Sequence, residues 1–194
     1  RNINTKYTHM KKRNLIALWA TLFLAVGLYA QTAEISDGII LWKGSKIVPD
    51  SHEGTLNISK GALTFEGDTL TGGTFTVDMN SMVSTDLSGS YAQKLIGHLK
   101  SDDFFGVAEH PEATLTITNA EKTKDGYTVT GDFTIRGITN PETFVLKLDG
   151  NKATADLEID RSKYNVKYAS GSFFENLGDK LIKDALELSV SFTY

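Results

Sequence analysis

The run "ATLTITNAEKTKDGYTVTGDFTIRG", residues 113–137, decides the fold. In its first part Leu115 and Ile117 fall on one face, and Thr114, Thr116 and Thr118 on the other. In its last part Tyr127, Val129, Phe133 and Ile135 alternate against Thr128, Thr130, Asp132 and Thr134. A repeat of two is the period at which a strand turns one face to a core and the other to water. Between the two parts stands Asp125-Gly126, a strong signal for a tight hairpin turn, because such turns need the positive φ that glycine supplies. The run is predicted as an antiparallel hairpin.

The same period extends outward. "ETFVLKL" places Phe144, Leu146 and Leu148 on one side, and Asp149-Gly150-Asn151 turns the chain into "KATADLEID". The final "ALELSVSFTY" alternates Leu186, Leu188, Val190, Phe192 and Tyr194 against polar neighbours. Toward the start, "IILWKGSKI", "GTLNISKG", "ALTFEGD" and "GGTFTVDMNSM" read as separate strands punctuated by glycine, with Phe75, Val77 and Met79 sharing a face. Many short antiparallel strands predict an all-β sandwich or barrel.

One segment breaks the period. In "STDLSGSYAQKLIGHLKSDDFF", Tyr91, Leu95 and Leu99 are spaced by four, Ile96 sits beside Leu95, and Ser88 or Ser90 is a candidate N-cap. That spacing predicts a single amphipathic helix. A lone helix in a β chain needs an apolar surface to cover, and the open end of a barrel is the simplest one. Phe104 and Phe105 follow directly in "LKSDDFFGVAEHP" and are predicted to enter the same opening, since exposed they would be a liability.

The beginning of the chain reads as a leader. Lys11, Lys12 and Arg13 precede the apolar run "LIALWATLFLAVGLYA", with small Ala30 and polar Gln31 after it. This is the layout of a secretory signal peptide, with cleavage expected after Ala30, or failing that after Ala33. Residues before Met10 read as an upstream extension, so residues 1–30 are set apart and 31–194 form one domain. The chain has no cysteine, which excludes disulfides, thiol catalysis and a lipoprotein anchor. It carries 20 basic and 24 acidic residues. Arg1, Lys6, Lys11, Lys12 and Arg13 all fall in the leader and no acid does, so the remainder is markedly acidic. Such a surface repels nucleic acid.

Three long stretches carry a family resemblance: "DMNSMVSTDL", "KLIGHLKSDDFFGVAEHPEATLTIT" and "GDFTIRGITNPETFVL". With Leu99, Ser101, Asp103, Phe104, Phe105, Pro111 and Gly131 to Thr139 in this order, and with "SHEGTL" and "NLGDKLIKDALELSVSF" around them, the chain resembles the YceI-like polyisoprenoid-binding proteins. The Arg-Asp that often precedes the helix-end leucine in that family is absent; His98-Leu99 remain. The resemblance implies an extended eight-stranded antiparallel lipocalin-like barrel with the helix over one end. It also implies a binding protein rather than an enzyme, with a long isoprenoid or isoprenoid quinone inside, no cofactor and no metal. Family members commonly pair, so a homodimer is an expectation. A periplasmic or secreted carrier that touches membranes transiently is the implied setting.

On that reading the barrel-facing Phe65, Phe75, Val77, Leu115, Phe133, Ile135, Phe144 and Leu146 line the guest's space, although an ordinary packed core uses the same residues. Leu95, Leu99, Phe104 and Phe105 close one mouth. Tyr164 and Tyr168 offer hydroxyls to a polar head. The second pair, Phe173-Phe174, is either a plug over the opposite end or a lip for lipid entry. Burial of one five-carbon unit, on the order of 100 Å², contributes ~2 kcal/mol before ordering costs.

Two rival readings stand. A lipocalin-like enzyme acting on a bound lipid or quinone needs a polar group in the cavity, for which His98 is the best candidate. No Gly-x-Ser-x-Gly, phosphate-loop or His-Glu-x-x-His pattern accompanies it. His98 and Asp102 lie four apart, a spacing that brings both to one helix face, but surface or capping roles are the simpler reading. The other rival is a non-lipid interaction protein with a filled core.

Overall fold

The computed structural model describes residues 29–194. The expected leader lies outside the described residues, except for its last two, Tyr29 and Ala30. The strands are β1 (Ala30–Glu34), β2 (Asp37–Lys46), β3 (Ser51–Glu66), β4 (Thr69–Ser84), β5 (Glu112–Thr123), β6 (Gly126–Ile135), β7 (Ile138–Asp149), β8 (Lys152–Asp160) and β9 (Ile182–Thr193). Among the described residues one α-helix, α1 (Gly89–Lys100), joins β4 to β5.

All pairings between strands are antiparallel, and β3 also pairs with β4, which closes the sheet on itself. Against one edge of β3, β1 takes the register Ala30↔Glu66 to Glu34↔Ala62, and β2 takes Ile39↔Asn57 to Ser45↔Ser51. β1 and β2 are thus two pieces of one stave, broken at Ile35-Ser36, where Ser36 N–H donates to the Thr193 carbonyl. The result is an eight-stranded closed barrel. Closure removes the unpaired edges that an open antiparallel sheet would expose.

"GTLNISKG" and "ALTFEGD" are not two strands but the single sixteen-residue β3. Gly61, read in the sequence as punctuation, is a packing site. A Cβ there would lie 2.6 Å from Phe75 Cδ1 and 2.9 Å from Ile35 Cδ1. Only glycine lets the Phe75 ring lie across the strand.

Connections alternate between the two ends. The β3–β4, β5–β6 and β7–β8 turns are tight and share one end. The β2–β3 turn, α1 with its trailing loop, the β6–β7 turn and the long 161–181 connection share the other. The loop carrying Phe173-Phe174 therefore lies at the same end as α1 and cannot plug the opposite one.

Side chains divide the interior into two levels. At the tight-turn end, Leu63, Leu70, Val129 and Leu146 are fully or nearly fully buried. Phe75 and Phe192 meet there at 5.1 Å between centroids, and Phe133 meets Phe144 edge to face at 5.9 Å. At the α1 end a second cluster forms from Ile40, Trp42, Leu56, Met79, Met82 and Val107. α1 packs against β4 and brings Leu95, Ile96 and Leu99 onto this cluster. Ser88 occupies the N-cap position with extended backbone, but its hydroxyl accepts no capping hydrogen bond.

Candidate ligand cavity

The α1 end of the barrel holds a cavity of about 330 Å³ with mainly apolar walls. Its first wall depends on Trp42 of β2. The indole lies over Gly54 of β3 and its Nε1–H donates to the Thr55 carbonyl at 3.3 Å. A Cβ on Gly54 would stand 1.9 Å from the Val83 carbonyl oxygen and 2.5 Å from Trp42 Cζ2. The glycine in "SHEGTL" is therefore the seat of the indole. Met79 and Met82 of β4 add flexible, polarizable side chains to the same wall.

The lid is an aromatic cluster centred on Phe104. Its ring lies 5.2 Å from His98, 6.2 Å from Phe105 and 5.4 Å from Tyr168. His98 and Tyr168 touch edge to face at 4.4 Å. Phe104 is 6% exposed, so this ring of the Phe-Phe pair is inside. Its carbonyl accepts from Arg136 Nη1, which ties the loop after α1 to the β6–β7 turn.

Arg161 holds the other side of the mouth and is 4% exposed. Its guanidinium donates to the carbonyls of Val166, Tyr168, Ile182 and Lys183 at 2.9–3.1 Å. Its Cζ lies 5.6 Å from the Phe104 centroid. Asp184 Oδ1 stands 3.3 Å from Nη2, close enough for charge pairing although no hydrogen bond reaches that oxygen. Burial lowers the Arg161 pKa, and Asp184 and Asp160 oppose the shift.

Polar groups collect at the rim. Lys46 Nζ pairs with Asp50 at 2.6 Å across the β2–β3 turn. His52 Nδ1 lies 2.7 Å from Asp86 Oδ2, while Asp86 Oδ1 accepts from Ser84 Oγ at 2.8 Å and from the Glu53 amide at 3.2 Å. Burial by itself would raise the Asp86 carboxyl, but the bonds from His52, Ser84 and Glu53 outweigh it and hold the group below its ordinary value.

The expected site residues fall into three places. Val77, Leu95, Leu99, Phe104, Phe105, Leu115, Phe133 and Ile135 border the cavity. Phe65, Phe75, Phe144 and Leu146 belong to the packed level beneath, where the cavity does not extend. Tyr164 and Phe173 are elsewhere. The Tyr164 hydroxyl donates to Glu142 Oε1 at 3.0 Å, and burial together with this bond raises its pKa. Phe173 is 43% exposed, with Lys167 Nζ 5.2 Å from its ring centroid. Asp102 lies beyond the end of α1, so it does not share a helix face with His98; the nearer carboxylate is Asp103, 3.6 Å from His98 Nε2. Sequence reasoning missed Trp42, Met79, Met82, His52 and Arg161 as parts of the mouth. Trp42 faces Gly54 across β2 and β3, a pairing visible only once the register is known.

The model of the YceI-like domain matches residues 36–194. The chain belongs to the YceI-like family. This YceI-like chain is 34% identical over 147 residues to a UPF0312 protein of Pectobacterium carotovorum subsp. carotovorum, across 73% of this chain and 74% of that one. It is 35% identical over 97 residues to Protein YceI of Shigella sonnei, across 50% of this chain and 49% of that protein. The match thus spans about half the length of several of these relatives. Among solved structures, BcnA of Burkholderia cenocepacia superposes with a TM-score of 0.60 at 17% identity, over 81% of this chain and 96% of that one. A polyisoprenoid binding domain from Saccharophagus degradans, implicated in plant cell wall breakdown, gives 0.54 at 13% identity, over 82% and 97%. These two likenesses concern the YceI-like barrel fold.

Proposed function

We propose that this chain is a lipid-binding module that takes a prenyl tail, carried by an isoprenoid alcohol or an isoprenoid quinone, into the cavity beneath α1. The observation that carries the reading is the apolar space left at one level of a barrel whose other level is packed. Val77, Leu115, Phe133 and Ile135 point inward yet are only partly buried, because they border that space rather than one another. Apolar walls hold a hydrocarbon by removing its surface from water, at roughly 25 cal/mol per Å². The polyisoprenoid-binding neighbour supports the same guest class.

The cavity also bounds the guest. An engineered apolar cavity of about 150 Å³ accepts one benzene, so about 330 Å³ accommodates roughly two five-carbon units in the closed state. A longer tail must extend through the lid. The apolar leader supports export, and a periplasmic or secreted protein that meets membranes only to load and unload fits this reading.

Native mass spectrometry after mild extraction tests the proposal. A co-purified guest of isoprenoid mass, or uptake of added farnesol at one per chain, is the expected result. A protein that is empty and refuses farnesol would sink the reading.

A further inference from the structure

The polar rim supplies a chemistry that the apolar walls lack. Asp86 is held by three donors at once: His52, Ser84 and the Glu53 amide. An ionised carboxylate only accepts hydrogen bonds, so the proton between the two side chains sits on His52 Nδ1. In the neutral form of the ring this bond fixes the tautomer whose Nε2 carries a lone pair. No group among the described residues bonds Nε2, and the ring borders the cavity mouth. The neighbouring ammonium of Lys46 is engaged by Asp50, so it does not compete for the same ligand atom.

We infer that His52, oriented by Asp86, is a head-group acceptor that selects guests ending in a hydroxyl. The ligand class is a prenyl alcohol or a prenylated phenol or hydroquinol, whose O–H donates to His52 Nε2 while its tail enters beneath α1. An ether or a quinone carbonyl has no proton to give there. Asp86 is a positioning residue, since it acts through the imidazole and not on the guest. This inference rests on the proposed prenyl-binding role of the cavity.

Calorimetric titration of the full chain with farnesol and with farnesyl methyl ether tests it, because the two tails are identical. The unaltered protein is expected to prefer the alcohol about fivefold to tenfold, the worth of one hydrogen bond made in a partly desolvated site. His52→Phe keeps a planar ring without an acceptor and is expected to bring the ratio close to one. Asp86→Asn, which loosens the hold on Nδ1, is expected to reduce the ratio in part. Equal binding of alcohol and ether by the unaltered protein overturns the acceptor while leaving the prenyl cavity standing. An undiminished ratio in His52→Phe does the same; should that variant fail to fold, an undiminished ratio in Asp86→Asn decides it. Binding of neither compound removes the cavity reading and this inference together.

Discussion

The His98 ring on α1 and the Tyr168 ring on the 161–181 connection stand edge to face, 4.4 Å between centroids, and bridge the two sides of the cavity mouth. Phe104 backs both rings. Edge-to-face pairs contribute about 0.5–1.5 kcal/mol beyond their buried area. Tyr168→Ala should therefore raise the dissociation rate of a bound prenyl alcohol by about threefold to tenfold, read by stopped-flow displacement. An unchanged rate would mean that the guest leaves by another path.

Arg161 binds four carbonyls from the segments it joins, and faces a buried carboxylate oxygen that has no other partner. Arg161→Met orphans all of these acceptors and leaves Asp184 unpaired. The expected loss of stability is about 3–5 kcal/mol in urea denaturation. Arg161→Lys should recover little of it, because one ammonium cannot reproduce the guanidinium fork. Full recovery by lysine would show that charge rather than geometry matters.

Gly54 seats the Trp42 indole. In Gly54→Ala the added methyl group meets both the Val83 carbonyl and the indole, so a strand or the ring must move. We expect a loss of about 1–3 kcal/mol and weaker guest binding, since the displaced ring enters the cavity. Wild-type stability in this variant would contradict the close packing described here.

The Asp86 carboxyl has a native pKa below its ordinary value of 3.8. A depressed carboxylate contributes stability that is complete above the ordinary value and is lost as pH falls through the native one. Acidification should thus destabilise the unaltered protein more than Asp86→Asn. Urea midpoints followed from about pH 5 down to about pH 2 should converge. Parallel curves would remove Asp86 from the acid response.

Chain length should leave a signature. Each five-carbon unit that enters the cavity gains ~2 kcal/mol before ordering costs, and the space takes roughly two units. Affinity should climb steeply up to geraniol, then more slowly through farnesol and geranylgeraniol in a calorimetric series. An undiminished gain per unit through geranylgeraniol would show that the packed level beneath gives way.

Much of the fold was legible because period two records which side of a strand is covered. It told inside from outside for Leu115, Phe133 and Phe144 alike. It did not tell the level along the barrel axis. That depends on which side chains meet across strands: Phe75 reaches Phe192 from more than a hundred positions away, and the pair fills its level, while Leu115 packs on that level with one side and borders the cavity with the other. The helix and the burial of Phe104 followed from spacing and composition. The rim did not. His52 and Asp86 lie 34 residues apart, and neither has a neighbour in sequence that announces the other. Arg161 reads as an ordinary surface charge after a strand, because the carbonyls that surround it come from two separate segments. Gly61 was misread because a glycine that admits a ring and one that makes a turn look alike in a sequence.

Among the described residues the apolar cavity meets solvent at the α1 end, and its base is filled. A tail taken in at the α1 mouth would back out along the track by which it came, first in and last out, with its head toward the solvent. Traffic between two bilayers would then require the whole protein to turn round and offer the same face to each in succession. Straight passage from one rim to the other is closed by the tilted and edge-to-face phenylalanines of its floor.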